Sequence, residues 1–266
     1  MRSEKDSRCL VATLETAELD GWPRERYLSA AEANKLAALK TRKRQDEWLA
    51  ARLAAKYLFL TRLGSGAAAP AEARPQLVSL TAERLGEFPC WLYEKVEVLA
   101  GPTGRPRLTW CGTTDLRDEI SLSHAQTLSC ACFSPAGSVG VDVEAALPKS
   151  PSFYAFNFTE AERDWVAHRS MELGIGAEWL FTLLWSLKEC AVKISDHLSV
   201  WNMPAIEIDI LSPIRGLADA HNKQFPGSFH MLDVQIREGS RVHLSQAAVA
   251  VVRKFILTII LTGVTN

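Results

Sequence analysis

No stretch of this 266-residue sequence is long enough in apolar residues to cross a bilayer. The longest run, Phe255 to Val264, falls well short of the ~20 residues that a spanning helix requires. Net charge is nearly absent too, formally -1, so no global field marks the chain as a nucleic-acid binder and any basic function must be local. The cysteines, at 9, 90, 111, 130, 132 and 190, lack the two-residue gap of a zinc knuckle or redox dithiol. Cys130 and Cys132 fall on the same face of an alternating stretch and read as buried thiols, which a reducing cytosol keeps reduced. The opening residues carry charge but no apolar segment, so no secretory signal is expected, and the sequon at Asn157-Phe158-Thr159 reads as coincidence. A soluble, cytoplasmic protein is expected. No internal repeat is visible by period.

What is present is ordinary globular composition, 47% hydrophobic and 23% charged. The length suits one large domain or two of roughly 100–150 residues. Leu28 to Arg62 has helical periodicity, closed by the Gly64-to-Pro70 segment. Val96 to Leu99 reads as a short strand, followed by turn chemistry from Gly101 to Pro106. Ile120 to Ser123, Thr127 to Phe133 and Ser138 to Val143 alternate as strands, and the break at Pro135-Ala136-Gly137 predicts that the last two are neighbours across a short turn. Thr159 is a candidate N-cap with Glu160 and Glu162 in the first turn. Glu178 to Ile194 reads as a longer helix, and strands return at Ala205 to Leu211, His230 to Arg237 and His243 to Val252. This order predicts an α+β chain of two halves, residues 1–115 and 116–266.

Three segments concentrate chemistry. In Gly140-Val141-Asp142-Val143-Glu144, strand alternation sends Asp142 and Glu144 to one face. Two carboxylates there suit a hard cation such as magnesium; the plain alternative is a solvated acidic edge. In the helix from Trp185 to Lys193, the four-residue step aligns Trp185, Glu189 and Lys193, flanked by Lys188. The plain alternative is a surface Glu–Lys pair, which a large aromatic on the same stripe disfavours. In Ile120-Ser121-Leu122-Ser123-His124, Ser123 and His124 could hydrogen-bond an anion, although a histidine at a strand end is often structural.

Taken in order, these motifs resemble the Sfp-type 4′-phosphopantetheinyl transferases. The resemblance rests on the Ser123-His124 pair, the G-V-D-V-E strand, Phe156 to Glu160 as an F-x-x-x-E helix start, and the W-S-x-K-E-x-x-x-K helix. Gly104-Arg105-Pro106 and the basic helix from Lys40 to Arg52 add to it, over residues 35–210. Ala51, Ala125 and Cys190 depart from the residues usual in that family, and Phe255 to Leu261 has no recognised counterpart. The resemblance implies two α/β-type halves related by a pseudo-twofold axis, with the active site in the cleft between them. It implies magnesium held by Asp142, Glu144 and Glu189, with Glu189, directly or through a metal-bound water, as base and Lys193 stabilising the transferring phosphate. The 3′-phosphate of coenzyme A would be met by Arg44, Arg52, Arg105, Ser123 and His124. The implied activity is transfer of phosphopantetheine from coenzyme A to the serine of an acyl or peptidyl carrier protein of fatty-acid, polyketide or nonribosomal-peptide synthesis. It implies a monomer, without nucleic-acid or membrane partners. Two other classes stay open: a metal-dependent phosphodiesterase or nuclease, and a carrier-binding module without activity. The aromatics between Pro148 and Ala177 are either a docking surface or core.

Overall fold

The structure, a computed structural model, describes residues 9–64, 75–113, 119–134, 137–195, 200–223 and 228–261. The chain divides between Val139 and Gly140 into two units.

The first unit opens with β1 (Leu10–Glu15). A capping box starts α1 (Ala30–Ala37): the Ser29 hydroxyl accepts from the Glu32 amide, and the Glu32 carboxylate accepts from the Ser29 amide. The long helical pattern is cut after α1, because the Thr41 hydroxyl accepts the Arg44 N–H and begins α2 (Arg42–Gly64). Then come β2 (Gln76–Leu80), α3 (Ala82–Leu85), α4 (Cys90–Lys95), and the hairpin of β3 (Val96–Ala100) and β4 (Pro106–Trp110). β5 (Glu119–Ala125) and β6 (Leu128–Ser134) complete the unit. Its main sheet runs β2-β1-β6-β5. Leu49, Leu53 and Leu58 of α2 pack there with Ala12, Leu14, Ala131 and Phe133.

The second unit holds β7 (Val139–Ala145), α5 (Pro151–Asn157), α6 (Glu160–Leu173) and α7 (Ala177–Ile194). β8 (Ile206–Ile210), α8 (Arg215–Lys223), β9 (His230–Glu238), β10 (Arg241–Val252) and β11 (Phe255–Leu261) follow. Its sheet runs β7-β11-β10-β9-β8. Leu183, Leu187 and Ala191 of α7 pack with Ile256 and Ile260 of β11. No helix among the described residues is long and apolar enough to cross a membrane.

The α+β class stands, and one expectation changes. β6 and β7 do not pair; they belong to different sheets. β5 and β6 join β1 in one sheet, and the two compact units divide at 139/140. The apolar run from Phe255 is β11, buried from Phe255 to Ile260. A strand covered on both faces reads as an unbroken apolar run rather than an alternating one.

Each unit also contains the same buried joint. Glu32 Oε2 accepts from the Lys56 ammonium of α2, while its Oε1 accepts from the Val98 N–H of β3 at 2.9 Å. Glu162 Oε2 accepts from Lys188 of α7 at 2.8 Å, and its Oε1 from the Ile208 N–H of β8 at 2.9 Å. Thr159 and Glu162 form the capping box of α6, as Ser29 and Glu32 do for α1. The units thus carry a structural repeat that residue periods do not reveal.

Candidate active site

Gly140 explains how the second unit brings its charged residues together. A Cβ at this position would stand 2.3 Å from the carbonyl oxygen of Cys190 and 3.0 Å from its carbonyl carbon. Only glycine lets the backbone of α7 come so close to β7. The approach sets Glu189 and Lys193 of α7 beside Asp142 and Glu144 of β7. Lys193 Nζ donates to the Val141 carbonyl and to Asp142 Oδ1, each at 2.9 Å.

Both faces of β7 are covered. Val141 and Val143 are fully buried, and Asp142 is 3% exposed, so this is not a solvated acidic edge. Burial is the main cause that pushes the Glu144 carboxyl up to about 7; Asp142 and Glu189 add repulsion, and Lys149 and Lys193 oppose it. Burial also raises Glu189, against Lys193 and with Asp142. Burial by itself would lower Lys193, but Asp142, Cys190 and Glu189 outweigh it and hold the ammonium above its ordinary range. Asp142, Glu144 and Glu189 are thus charge neighbours of Lys193, with Lys149 a second cation beside Glu144.

Among the described residues, no three His, Cys, Asp or Glu side chains are drawn together as a ready-made metal cage. What fits a hard cation is the donor chemistry: crowded carboxylate oxygens, one of them at present engaged by Lys193.

Trp185, on the stripe of Glu189 and Lys193, packs against Phe153 with ring centroids 5.0 Å apart. With Lys149, Tyr154, Phe181 and Thr182 they wall a pocket that reaches Glu144. Of the aromatics after Pro148, Phe158 is core at 3% exposure, whereas Phe156 is 70% exposed.

Two assignments shift. Lys188 does not flank the charged stripe at the surface; it is fully buried and paired with Glu162. The F-x-x-x-E pattern moves by two residues, because Phe156 and Glu160 are exposed while Phe158 and Glu162 are buried. The signal that identifies Glu162 was available as a capping box, Thr159 followed three residues later by a glutamate.

In the first unit, Arg44 of α2 donates to His124 Nε2 of β5. Since the guanidinium can only donate, Nε2 accepts, and the ring's proton sits on Nδ1 in this arrangement. Glu47 balances the pair, with Oε2 3.4 Å from Arg44 Nη1 and 4.0 Å from His124 Nε2. Arg52 lies two turns along α2, its guanidinium 4.1 Å from the Trp48 ring centroid. Burial, opposed by Glu32 and aided by Arg44, lowers its pKa to about 10. Arg105 is half-buried at the end of the β3–β4 turn, where Gly104 adopts φ +85°. Ser123 is half-buried, and strand alternation turns it to the face opposite His124. The structure thus joins Arg44 to His124 and aligns Arg52 on the same helix.

Residues 138–252 match the family model of the 4′-phosphopantetheinyl transferase superfamily. The match spans β7 to β10 and so includes Asp142, Glu144, Glu189 and Lys193. No curated protein matches the chain.

Proposed function

We propose that this chain, whose residues 138–252 match the 4′-phosphopantetheinyl transferase superfamily model, is an Sfp-type enzyme that moves phosphopantetheine from coenzyme A to the serine of an apo carrier protein. The observation that carries the reading is the ion pair of Lys193 with Asp142, on the helix that also bears Glu189 and the strand that also bears Glu144, inside the segment that matches the family.

The transfer joins the serine Oγ to the phosphorus that bears pantetheine and breaks that phosphorus's bond to the bridging oxygen. 3′,5′-ADP leaves, and the serine proton must be taken up. Glu189 is the group assigned to accept it; burial raises its proton affinity above that of a solvated carboxylate, which suits a base. Lys193, held charged beside Asp142, is placed to offset negative charge on the transferring phosphate. Asp142, Glu144 and Glu189 would hold magnesium. When bound, the ion would neutralise the pyrophosphate and stabilise the leaving group. Arg44 and His124, with Arg52, Arg105 and Ser123 as further candidates, would receive the 3′-phosphate of coenzyme A.

The test is intact-mass spectrometry of an apo carrier protein incubated with the chain, coenzyme A and magnesium, with Glu189→Ala as the matched control. A gain of one phosphopantetheinyl group that vanishes in the variant is expected. Binding of coenzyme A without transfer to any of several fatty-acid, polyketide and peptide carriers would favour a carrier-binding module. Cleavage of nucleic acid or simple diesters instead would point to a phosphodiesterase.

A further inference from the structure

We propose that the buried Glu162–Lys188 pair is a positioning device for the reaction, which sets the rotation of α7 and thereby the place of Glu189 and Lys193. The inference rests on the transferase reading above and concerns residues to which that reading gives no role.

Lys188 and Cys190 flank Glu189 in sequence, and each is fixed to a different partner. On one side, Lys188, fully buried, donates to Glu162 Oε2 and to the Asn157 carbonyl, each at 2.8 Å. On the other, the backbone of Cys190 presses on Gly140, and its thiol donates to the Thr258 carbonyl at 3.3 Å. Successive helical residues lie about 100° apart around the axis. Anchors at 188 and 190 therefore leave the Glu189 side chain little azimuthal freedom.

The Glu162 end is equally constrained. Besides Lys188, its carboxylate accepts from the amides of Thr159 and Ile208, each at 2.9 Å. One carboxylate thus ties the start of α6, strand β8 and helix α7 at a point. An ion pair this deeply buried is a poor source of net stability, since desolvation of both charges consumes most of the attraction. Hydrophobic residues of similar volume would fill the space, but they would not fix the direction of α7.

The first unit supplies an internal control. It contains the same joint, Glu32 with Lys56, yet the positions one and five residues after its lysine are Tyr57 and Thr61 instead of a glutamate and a lysine. There the pair holds a helix with no carboxylate to aim.

The experiment compares Glu162→Gln/Lys188→Met with Glu32→Gln/Lys56→Met, each removing both charges so that neither is stranded. Thermal unfolding, kcat and KM for coenzyme A, and magnesium-dependent coenzyme A binding by calorimetry are measured on all proteins. The second-unit variant should lose about 10–100-fold in kcat, the usual cost of loosening a group that orients a site ligand. Its KM for coenzyme A and its magnesium-dependent coenzyme A binding should both stay within about 2-fold, because slowed chemistry brings KM to the dissociation constant. The first-unit variant should keep wild-type kcat in its folded fraction, whichever way its unfolding temperature moves. Lys188→Arg, which keeps the buried charge but changes its reach, should also lower kcat with KM unchanged, and it decides the matter if the double variant does not fold. Wild-type kcat in a folded second-unit variant, or an equal loss in the first-unit variant, would overturn the positioning role. Failure of the wild-type protein to transfer phosphopantetheine would overturn the transferase reading, and the positioning role with it; only positioning falls if wild type transfers and the variants match it.

Discussion

Replacing Gly140 with alanine tests the way the site is assembled. The added methyl would lie 2.3 Å from the Cys190 carbonyl oxygen and 3.0 Å from its carbonyl carbon and Cα. These are backbone atoms in the middle of α7, so no side chain can rotate to relieve the clash. An ordinary contact needs roughly 3.5 Å, so β7 and α7 must separate by about 1 Å. Overpacking of a rigid core costs about 1–3 kcal/mol, and the upper part of that range applies because the obstacle is helix backbone. Unfolding of a unit this size should then move down by roughly 5–12 °C. The same displacement pulls Lys193 from Asp142, now 2.9 Å away, and shifts Glu189. A misplacement of about 1 Å in a catalytic group can cost on the order of 100-fold in rate. The assay pairs calorimetric unfolding with initial rates of carrier modification, corrected for folded fraction. A Gly140→Ala protein with wild-type melting temperature and rate would refute the close-approach argument. Loss of stability with full rate would show that β7 and α7 separate without moving the charged groups.

Asp142→Asn should abolish transfer while changing unfolding free energy by less than ~2 kcal/mol: the amide still accepts from Lys193, and loss of charge relieves repulsion on Glu144 and Glu189. Chemical denaturation beside an activity assay checks both halves. Arg44→Ala removes the donor to His124 and should raise KM for coenzyme A about 10-fold, the worth of one charge-assisted hydrogen bond, with kcat little changed; a fall in kcat alone would place Arg44 outside the coenzyme site. His221 packs against Trp179, ring centroids 5.1 Å apart, and burial, opposed by Glu178, lowers its pKa from the ordinary 6.5. The unfolded chain then binds the proton more readily, so stability present above pH 6.5 should decline as pH falls below it, through the lowered folded-state value. His221→Gln should flatten this slope in melts between pH 5 and 8, and an unchanged slope would remove His221 as its source.

Side chains that carry charge at helical or strand spacing were the legible part of this molecule. Asp142 and Glu144 alternate on a strand, Glu189 and Lys193 follow a helical step, and the structure sets them against one another as those periods require. Arg44 and His124, 80 residues apart, could be paired only through resemblance, because no local period links α2 to β5. What stayed hidden depends on neighbours distant in the chain. β1 and β11 both lose their alternation, because protein covers both faces of each. The pairing of β5 and β6 with β1 is a property of the sheet rather than of the turn between strands.

Lys188 shows most clearly why charge pattern alone is ambiguous. Beside Glu189 on a helix it has the signature of a solvated ion pair, and burial is decided elsewhere, by whether a carboxylate and carbonyls lie within reach on the packed side. Glu162 and Asn157, 26 and 31 residues earlier, provide them. A lysine can be fully buried only where such partners converge. The capping box at Thr159 is the one local mark of that convergence, since it orients the Glu162 carboxylate back toward the start of α6. The same mark at Ser29 precedes Lys56. Two capping-box glutamates, each followed by a helix with a buried lysine, therefore mark the joint that the two units share. Such a joint holds its geometry amid different surrounding residues, because a buried charge tolerates the loss of its partner less well than an apolar contact tolerates a change of size.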